Sequence, residues 1–182
     1  MAKMNIIAAV DLAGGIGKKG GLPWHLPEDF KQFVRLTTET KDSDKRNAVI
    51  MGRKCWESIP EKFRPLKNRL SVVLSTSLKP SVSEDVIIAN SIDEALNEIM
   101  AVERKIETIW NIGGRQIYEL GLDYPNLHRI YLTQIEHNFE TDVSFPQFDQ
   151  EKFELENVGN TVTDKGGYEW KLMVYRNKQS SF

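Results

Sequence analysis

Two acids stand side by side at the start of an expected helix, in LPEDFKQFVRL (26–36), and the helical period sends them to different faces. Pro27 suits a first helical turn, where its missing N–H costs nothing, and Glu28 and Asp29 suit the same end of the helix dipole. At about 100° per residue, Glu28 falls with Lys31, Gln32 and Arg35 on a polar arc. Asp29 falls between Phe33 and Leu36, with Leu26 and Phe30 close by. A carboxylate in an apolar stripe costs several kcal/mol, roughly, unless something donates to it. Two readings follow. Asp29 is a structural acid, satisfying the helix dipole or a distant Arg, or it receives a ligand edge with two adjacent N–H groups, which fits a carboxylate as a guanidinium does.

Other segments suit anions. In TIWNIGGRQIYEL (108–120) an apolar strand breaks at Gly113-Gly114 into a helix, and paired glycines let a ligand approach the backbone at a helix amino terminus. Arg115 adds a fork of donors. MGRKC (51–55) repeats the design with Arg53 and Lys54, so the two junctions could flank one ligand with several phosphates, such as a dinucleotide. The glycine-rich GGIGKKGG (14–21) fails the P-loop spacing, because position 12 is Leu and Lys18 is followed by Lys. It reads as a flexible surface loop that could fold over a ligand beside Leu22, Trp24 and Asp29. Cys55 is either a thiolate favoured by a helix start and two cations or a small buried residue. Trp24, Trp56, Trp110 and Trp170 are scattered, as core and pocket walls are.

The elements that must position these groups alternate. Strands are expected at NIIAAVD, NAVIMG, RLSVVLS, DVIIAN, TIWNI, RIYLTQIEHNF, KFELENVG and YEWKLMVYR. Helices are expected at PEDFKQFVRL, RKCWESI, DEALNEIMAV and RQIYEL, the third opened by a Ser91/Glu94 capping box. TTETKDSDKRN (37–47) reads as a solvated loop, and the tail NKQSSF as a fraying end. Early βα alternation with strands clustered late fits a mostly parallel sheet with an antiparallel edge and helices on both faces.

At 182 residues and 40% hydrophobic, the chain can bury one core. A net charge of −2 gives no basic field for nucleic acid or an anionic membrane. The single cysteine and the absence of Cys/His clusters leave no internal disulfide and no expected metal site, and the amino terminus lacks a leader-like run. The chain reads as a cytoplasmic protein.

The ordered motifs IIAAV, GIGKKGGLPW, LPEDF, VIMGRKCWESIP, RPLKNRLSVVLS, IGGRQIY and TDVSFP together resemble dihydrofolate reductase over nearly the whole chain. The resemblance implies a single α/β domain over 1–182, with an eight-stranded, mostly parallel mixed sheet, an antiparallel C-terminal edge strand and about four helices. It implies NADPH-dependent reduction of dihydrofolate, by hydride transfer from nicotinamide C4 to pterin C6 with N5 protonated. Asp29 then matches the acid that accepts from the pterin N3–H and 2-amino group. Leu22, Trp24, Tyr118 and Thr133 complete the catalytic set, Thr133 supporting the acid. Ile7, Ala9, Phe30, Phe33 and Ile112 match the walls around the folate rings. Ser58, Ile59, Pro60 and Leu66 match further substrate contacts, and Arg69 the fork onto the glutamate α-carboxylate. Ala9, Ile16, Gly17, Lys18, Gly20, Gly52, Arg53, Lys54 and Cys55 match positions around the cofactor. So do Leu74, Ser75, Thr76, Asn90, Ile112, Gly113, Gly114, Arg115, Gln116, Ile117 and Tyr118. The family's glycine pair is joined by a cis peptide. Expected partners are dihydrofolate and antifolates such as methotrexate and trimethoprim-like inhibitors, with no nucleic acid, no membrane and a monomeric state.

The chain also departs from that pattern. Gly21 replaces an Asp or Asn, Cys55 a threonine, and Val34 a glutamine of vertebrate members. Thr76 and Asn90 stand where vertebrate members carry arginines near the 2′-phosphate, leaving Arg53, Lys54 and Arg115 to favour NADPH over NADH.

Overall fold

The computed structural model describes residues 2–182. The first half contains β1 (Lys3–Val10), β2 (Gly15–Gly17), α1 (Pro27–Thr38), β3 (Arg46–Gly52), α2 (Arg53–Ser58) and β4 (Arg69–Leu74). Next come β5 (Ser81–Val82), β6 (Val86–Ala89), α3 (Ile92–Ala101), β7 (Ile106–Asn111) and α4 (Arg115–Leu122). The chain ends with β8 (Leu127–Ile135), β9 (Val143–Ser144), β10 (Phe153–Val158), β11 (Val162–Thr163) and β12 (Glu169–Asn177).

The main sheet runs β10-β12-β8-β1-β7-β3-β4-β6-β5, with β11 on β12. From β8 to β6 every neighbour is parallel, which requires both faces covered and explains the apolar runs of β3 and β4. Eight substantial strands match the expected number, and β5 and β11 are two-residue additions. The antiparallel β12 is not itself outermost, because β10 pairs along its far side. Phe33, Leu36, Cys55 and Trp56 pack with Ile7, Val49, Met51 and Val73 on one face. Ala95, Ile99, Ile117 and Tyr118 pack with Met4, Ile6, Ile50 and Val72 on the other. Helices α1 and α2 therefore cover one side, and α3 and α4 the other. Among the described residues no helix is long and apolar enough to cross a membrane.

Three local expectations need correction. The polar run 37–47 is not all solvated, since α1 continues to Thr38 and β3 begins at Arg46. Thr37 and Asn47 are buried, and the Asn47 amide donates to the carbonyls of Thr37 (3.0 Å) and Glu39 (2.9 Å), so each polar group has a partner. The glycine-rich segment 14–21 is not a free loop. Its β2 pairs antiparallel with β9, and Lys18 and Gly21 close a tight turn through reciprocal backbone bonds of 2.9 and 3.0 Å. The tail is tied down through Ser180, whose hydroxyl lies 2.9 Å from His128 Nδ1.

Candidate active site

Parallel strands deliver their carboxyl ends to one rim, where open α/β sheets hold ligands. Here that rim carries Ala9 near the end of β1, Gly52 at the end of β3, Ser75 after β4, Asn90 after β6 and Ile112 after β7. Thr133 joins them because it stands opposite Ala9 in the β1–β8 register.

The helical period places the two acids as their spacing requires. Glu28 is exposed and pairs with Lys31 at 2.8 Å on the outer face of α1. Asp29 is half-buried and turns toward the sheet, where the Thr133 hydroxyl donates to its Oδ1 at 2.6 Å. Burial, and secondarily the nearby Asp164 carboxylate, push the Asp29 pKa up to about 6 against the pull of the Thr133 bond. Around it, Ile7, Phe33, Ile59, Leu66 and Ile112 share the cluster beneath α1 and α2. Phe30 and Phe33 stack with centroids 6.1 Å apart, yet Phe30 is 64% exposed. Leu22 is 67% exposed, whereas Trp24 is buried against Phe139, 5.2 Å away. Exposed Leu22 and Phe30 are large apolar side chains open to solvent on the segment that carries the half-buried Asp29.

Arg69 is buried with no ion pair among the described residues. Its Nη1 donates to Thr37 Oγ1 (3.0 Å) and its Nε to the Lys67 carbonyl (3.0 Å), and burial lowers its pKa. Those bonds orient the fork and leave other donors over for an anion. Ser58 and Pro60 are exposed at the end of α2, with the Ser58 hydroxyl spent on the Cys55 carbonyl at 2.6 Å.

The two strand-to-helix junctions meet. The Gly52 N–H donates to the Gly113 carbonyl at 2.9 Å, and the Gly113–Gly114 peptide is cis. Gly113 has φ +95°, and a Cβ there would lie 2.6 Å from the Tyr118 ring; at Gly114 a Cβ would meet nothing within 4 Å. One glycine is required by packing and the next opens onto free space. Tyr118 is buried, its hydroxyl donating to the carbonyls of Ile7 (2.9 Å) and Ile112 (3.1 Å), so it clips β1 to the end of β7. Burial drives its pKa up.

Arg53 pairs with Glu57 (3.0 Å) and Arg115 with Glu119 (3.0 Å), each on its own helix. Arg115 also donates to the Ser144 hydroxyl at 3.0 Å, reaching the β2/β9 flap that carries Ile16, Gly17 and Lys18. Lys54, Gly114, Gln116 and Thr76 are exposed, and Ile117 and Leu74 are buried below them. The Ser75 hydroxyl accepts from the Leu78 N–H (3.0 Å), and the Asn90 amide donates to the Ser75 carbonyl (2.9 Å), lacing β4 to β6. Cys55 is not an activated thiol. Burial pushes its pKa up to about 11, because desolvation disfavours the thiolate.

Three supporting acids and amides escape a local reading. Asp11 is buried, and its carboxylate accepts from the N–H groups of Ala13 (2.9 Å), Gly15 (2.8 Å) and Phe139 (3.0 Å), seating the flap on β1. Asn111 donates to the Ile117 carbonyl (2.6 Å) and accepts from the Gly113 N–H (3.1 Å), fixing the turn into α4. Asp164 lies under the first turn of α1. Among the described residues no group of His, Cys, Asp and Glu is arranged to hold a metal ion.

A sequence model of the family described as dihydrofolate reductase matches residues 3–177. A Caenorhabditis elegans protein whose name carries dihydrofolate reductase is 50% identical over 157 residues, covering 85% of this chain and 82% of its own. Dihydrofolate reductase of Rattus norvegicus is 41% identical over 182 residues (96% and 97%), and that of Heliothis virescens is 38% identical over 180 residues (96% and 97%).

Proposed function

The chain belongs to the dihydrofolate reductase family and is an enzyme of dihydrofolate reduction, and from that premise we propose that it uses NADPH, with the pterin anchored on Asp29. NADPH when bound supplies a hydride from nicotinamide C4 to pterin C6. The chain's own part is to hold two rings face to face and keep bulk water out.

Asp29 receives the pterin edge. One oxygen is occupied by Thr133, so the carboxylate is pre-aimed, and two ring N–H donors satisfy a charge that burial otherwise penalises. Their binding stabilises the ionised form. Asp29 lies at the ring edge remote from N5, so it organises and polarises the ring, and water passing the exposed Leu22 delivers the proton to N5. Arg69 takes the glutamate α-carboxylate, and Phe30 and Phe33 cover the rings between.

The chain fits the cofactor. The open face of Gly114 leaves room for a diphosphate against the backbone, as the free space at its Cβ position indicates. Lys54 is exposed and unspent on any carboxylate among the described residues, and Arg53 and Arg115 can exchange their own-helix glutamates for phosphate oxygens. We place the enzyme in the cytoplasm as a monomer, with methotrexate-like and trimethoprim-like antifolates competing for the Asp29 cleft.

The observation that carries this reading is the half-buried Asp29 held by Thr133, on a helix whose next residue, Phe30, is exposed. The test is NADPH oxidation driven by dihydrofolate, in the native protein and Asp29→Asn, repeated with NADH. Turnover that collapses in the folded variant and is much weaker with NADH supports it. Normal turnover in Asp29→Asn, or equal kcat/KM for the two cofactors, sinks the corresponding part.

A further inference from the structure

Helix α1 begins with donors that its own residues do not satisfy. Leu26 at the N-cap provides no side-chain acceptor, and Pro27 has no N–H to offer. Phe30 N–H already reaches the Leu26 carbonyl at 2.9 Å. Inside the first turn that leaves two orphan donors, the N–H groups of Glu28 and Asp29. Both are taken by one side chain from the far end of the sequence: Asp164 Oδ2 accepts from Glu28 N at 3.1 Å and from Asp29 N at 3.1 Å. The same carboxylate accepts from the buried Trp170 indole N–H (2.8 Å) and from the Lys165 N–H (2.8 Å). Asp164 is itself 5% exposed, and its backbone closes a turn with Tyr168 and Gly167.

We propose that Asp164 is a positioning residue for dihydrofolate reduction: its carboxylate clamps the first turn of α1 and so holds Asp29 where Thr133 and the pterin edge meet it. This rests on the role given to Asp29 above. The geometry leaves little slack, because Asp29 is bound at its backbone by Asp164 and at its side chain by Thr133. Asp164 is fixed in turn by Trp170, which packs with Trp24, Leu26 and Ile135. The clamp thus ties the catalytic helix to the C-terminal hairpin.

Two carboxylates so close also divide their roles. Burial acts to raise the Asp164 pKa, but the bonds from Trp170, Lys165, Glu28 and Asp29 outweigh it and hold this carboxyl below its usual range. Its charge faces Asp29 and opposes ionisation there. Of the other groups around this turn, Thr133 on β8 is uncharged, and Glu28 and Lys31 neutralise each other on the exposed face. A helix cap that is also a charge therefore holds Asp29 in place and adds to the rise in proton affinity that burial begins.

The test separates cap from charge. Asp164→Asn and Asp164→Ser each retain an acceptor and remove the charge. Asp29 is titrated by carboxyl carbon NMR, its signal assigned by its loss in Asp29→Asn, and kcat and KM for dihydrofolate are followed against pH. The expected result is an Asp29 midpoint shifted to lower pH in both variants, with KM for dihydrofolate about tenfold higher as the clamp weakens. A midpoint and KM equal to the native values, whatever the melting temperature, would overturn the proposal. If Asp29→Asn is fully active while the midpoint still moves, the Asp29 reading fails and the coupling stands. Should neither variant fold, amide exchange in the native protein decides. The Glu28 and Asp29 amides should exchange at least about tenfold more slowly than the Lys54 amide at the uncapped start of α2. Equal rates would refute the clamp.

Discussion

Thr133 Oγ1 donates to Asp29 Oδ1 at 2.6 Å across 104 residues of sequence, and this is the one side-chain bond that draws down the elevated pKa of the acid. Thr133→Val removes the donor while keeping the shape. The Asp29 pKa should then rise beyond about 6, so that at neutral pH more of the acid is protonated and poorly matched to a pterin edge. A hydrogen bond to a charged group is worth about 1.5–3 kcal/mol, so KM for dihydrofolate should rise at least about tenfold. The limb of the kcat/KM profile that belongs to Asp29 should move toward alkaline pH. An unchanged profile would show that Thr133 does not tune the acid.

Asp29 also carries a stability cost. Its pKa is raised in the fold, so the folded state binds the proton more tightly than the unfolded chain. The cost is fully present above about 6, shrinks as pH falls, and vanishes below 3.8. Its size is of order 3 kcal/mol from a rise of that extent. Asp29→Asn should therefore melt higher than the native protein at pH 8 and alike at pH 3.5 while losing turnover. Thermal melts at the two values check it, and a lower melting temperature at pH 8 would contradict it.

The glycine pair divides into a packing position and a ligand position. Gly113→Ala must place a Cβ 2.6 Å from the Tyr118 ring at φ +95°. That costs roughly 2–3 kcal/mol of stability from left-handed strain and overpacking together. Gly114→Ala meets no neighbour within 4 Å, so it should melt within a degree or two of native while weakening NADPH binding. Melting curves with NADPH titration distinguish them. Tight NADPH binding by Gly114→Ala would remove that junction from the cofactor site.

Arg69 should govern substrate affinity rather than turnover. Lys in its place cannot keep the bond to Thr37, the bond to Lys67 and a forked contact to a carboxylate at once. Arg69→Lys should raise KM for dihydrofolate about tenfold with kcat nearly constant. A dihydropteridine lacking the glutamyl portion should be reduced equally by both proteins. A kcat loss with that truncated substrate would make Arg69 structural.

What a sequence reveals here depends on how local the cause is. Asp29 is legible because its meaning lies in the spacing of four neighbours on one helix, and Gly113-Gly114 because strand, turn and helix follow in order. Asp164 is not, since in VTDKGGY it reads as an ordinary turn acid; its N–H partners on α1 lie 135 and 136 residues away. The same distance hides the flap: residues 14–21 look mobile until β9 and Asp11 are brought to them. Cys55 misleads in the other direction, because sequence shows the helix start and two cations but not the burial that keeps the thiol protonated.

His128 should oppose Asp29 in the pH dependence of stability. It is 3% exposed, with Nδ1 2.9 Å from the Ser180 hydroxyl and Nε2 facing Arg129. Burial first, then the positive charges of Arg129 and Lys3, push its pKa down to about 4, so the fold prefers the neutral ring. The stability that preference confers is complete above 6.5 and is lost as pH falls toward about 4. Over the same interval the Asp29 cost is being relieved, so the two terms partly cancel in the native protein. Each variant should expose the other. Asp29→Asn should lose stability on acidification from 6.5 to 4, and His128→Gln, which keeps a partner for Ser180, should gain it. Urea unfolding at half-unit pH intervals reads both slopes, and parallel slopes in the two variants would show that neither group drives the profile.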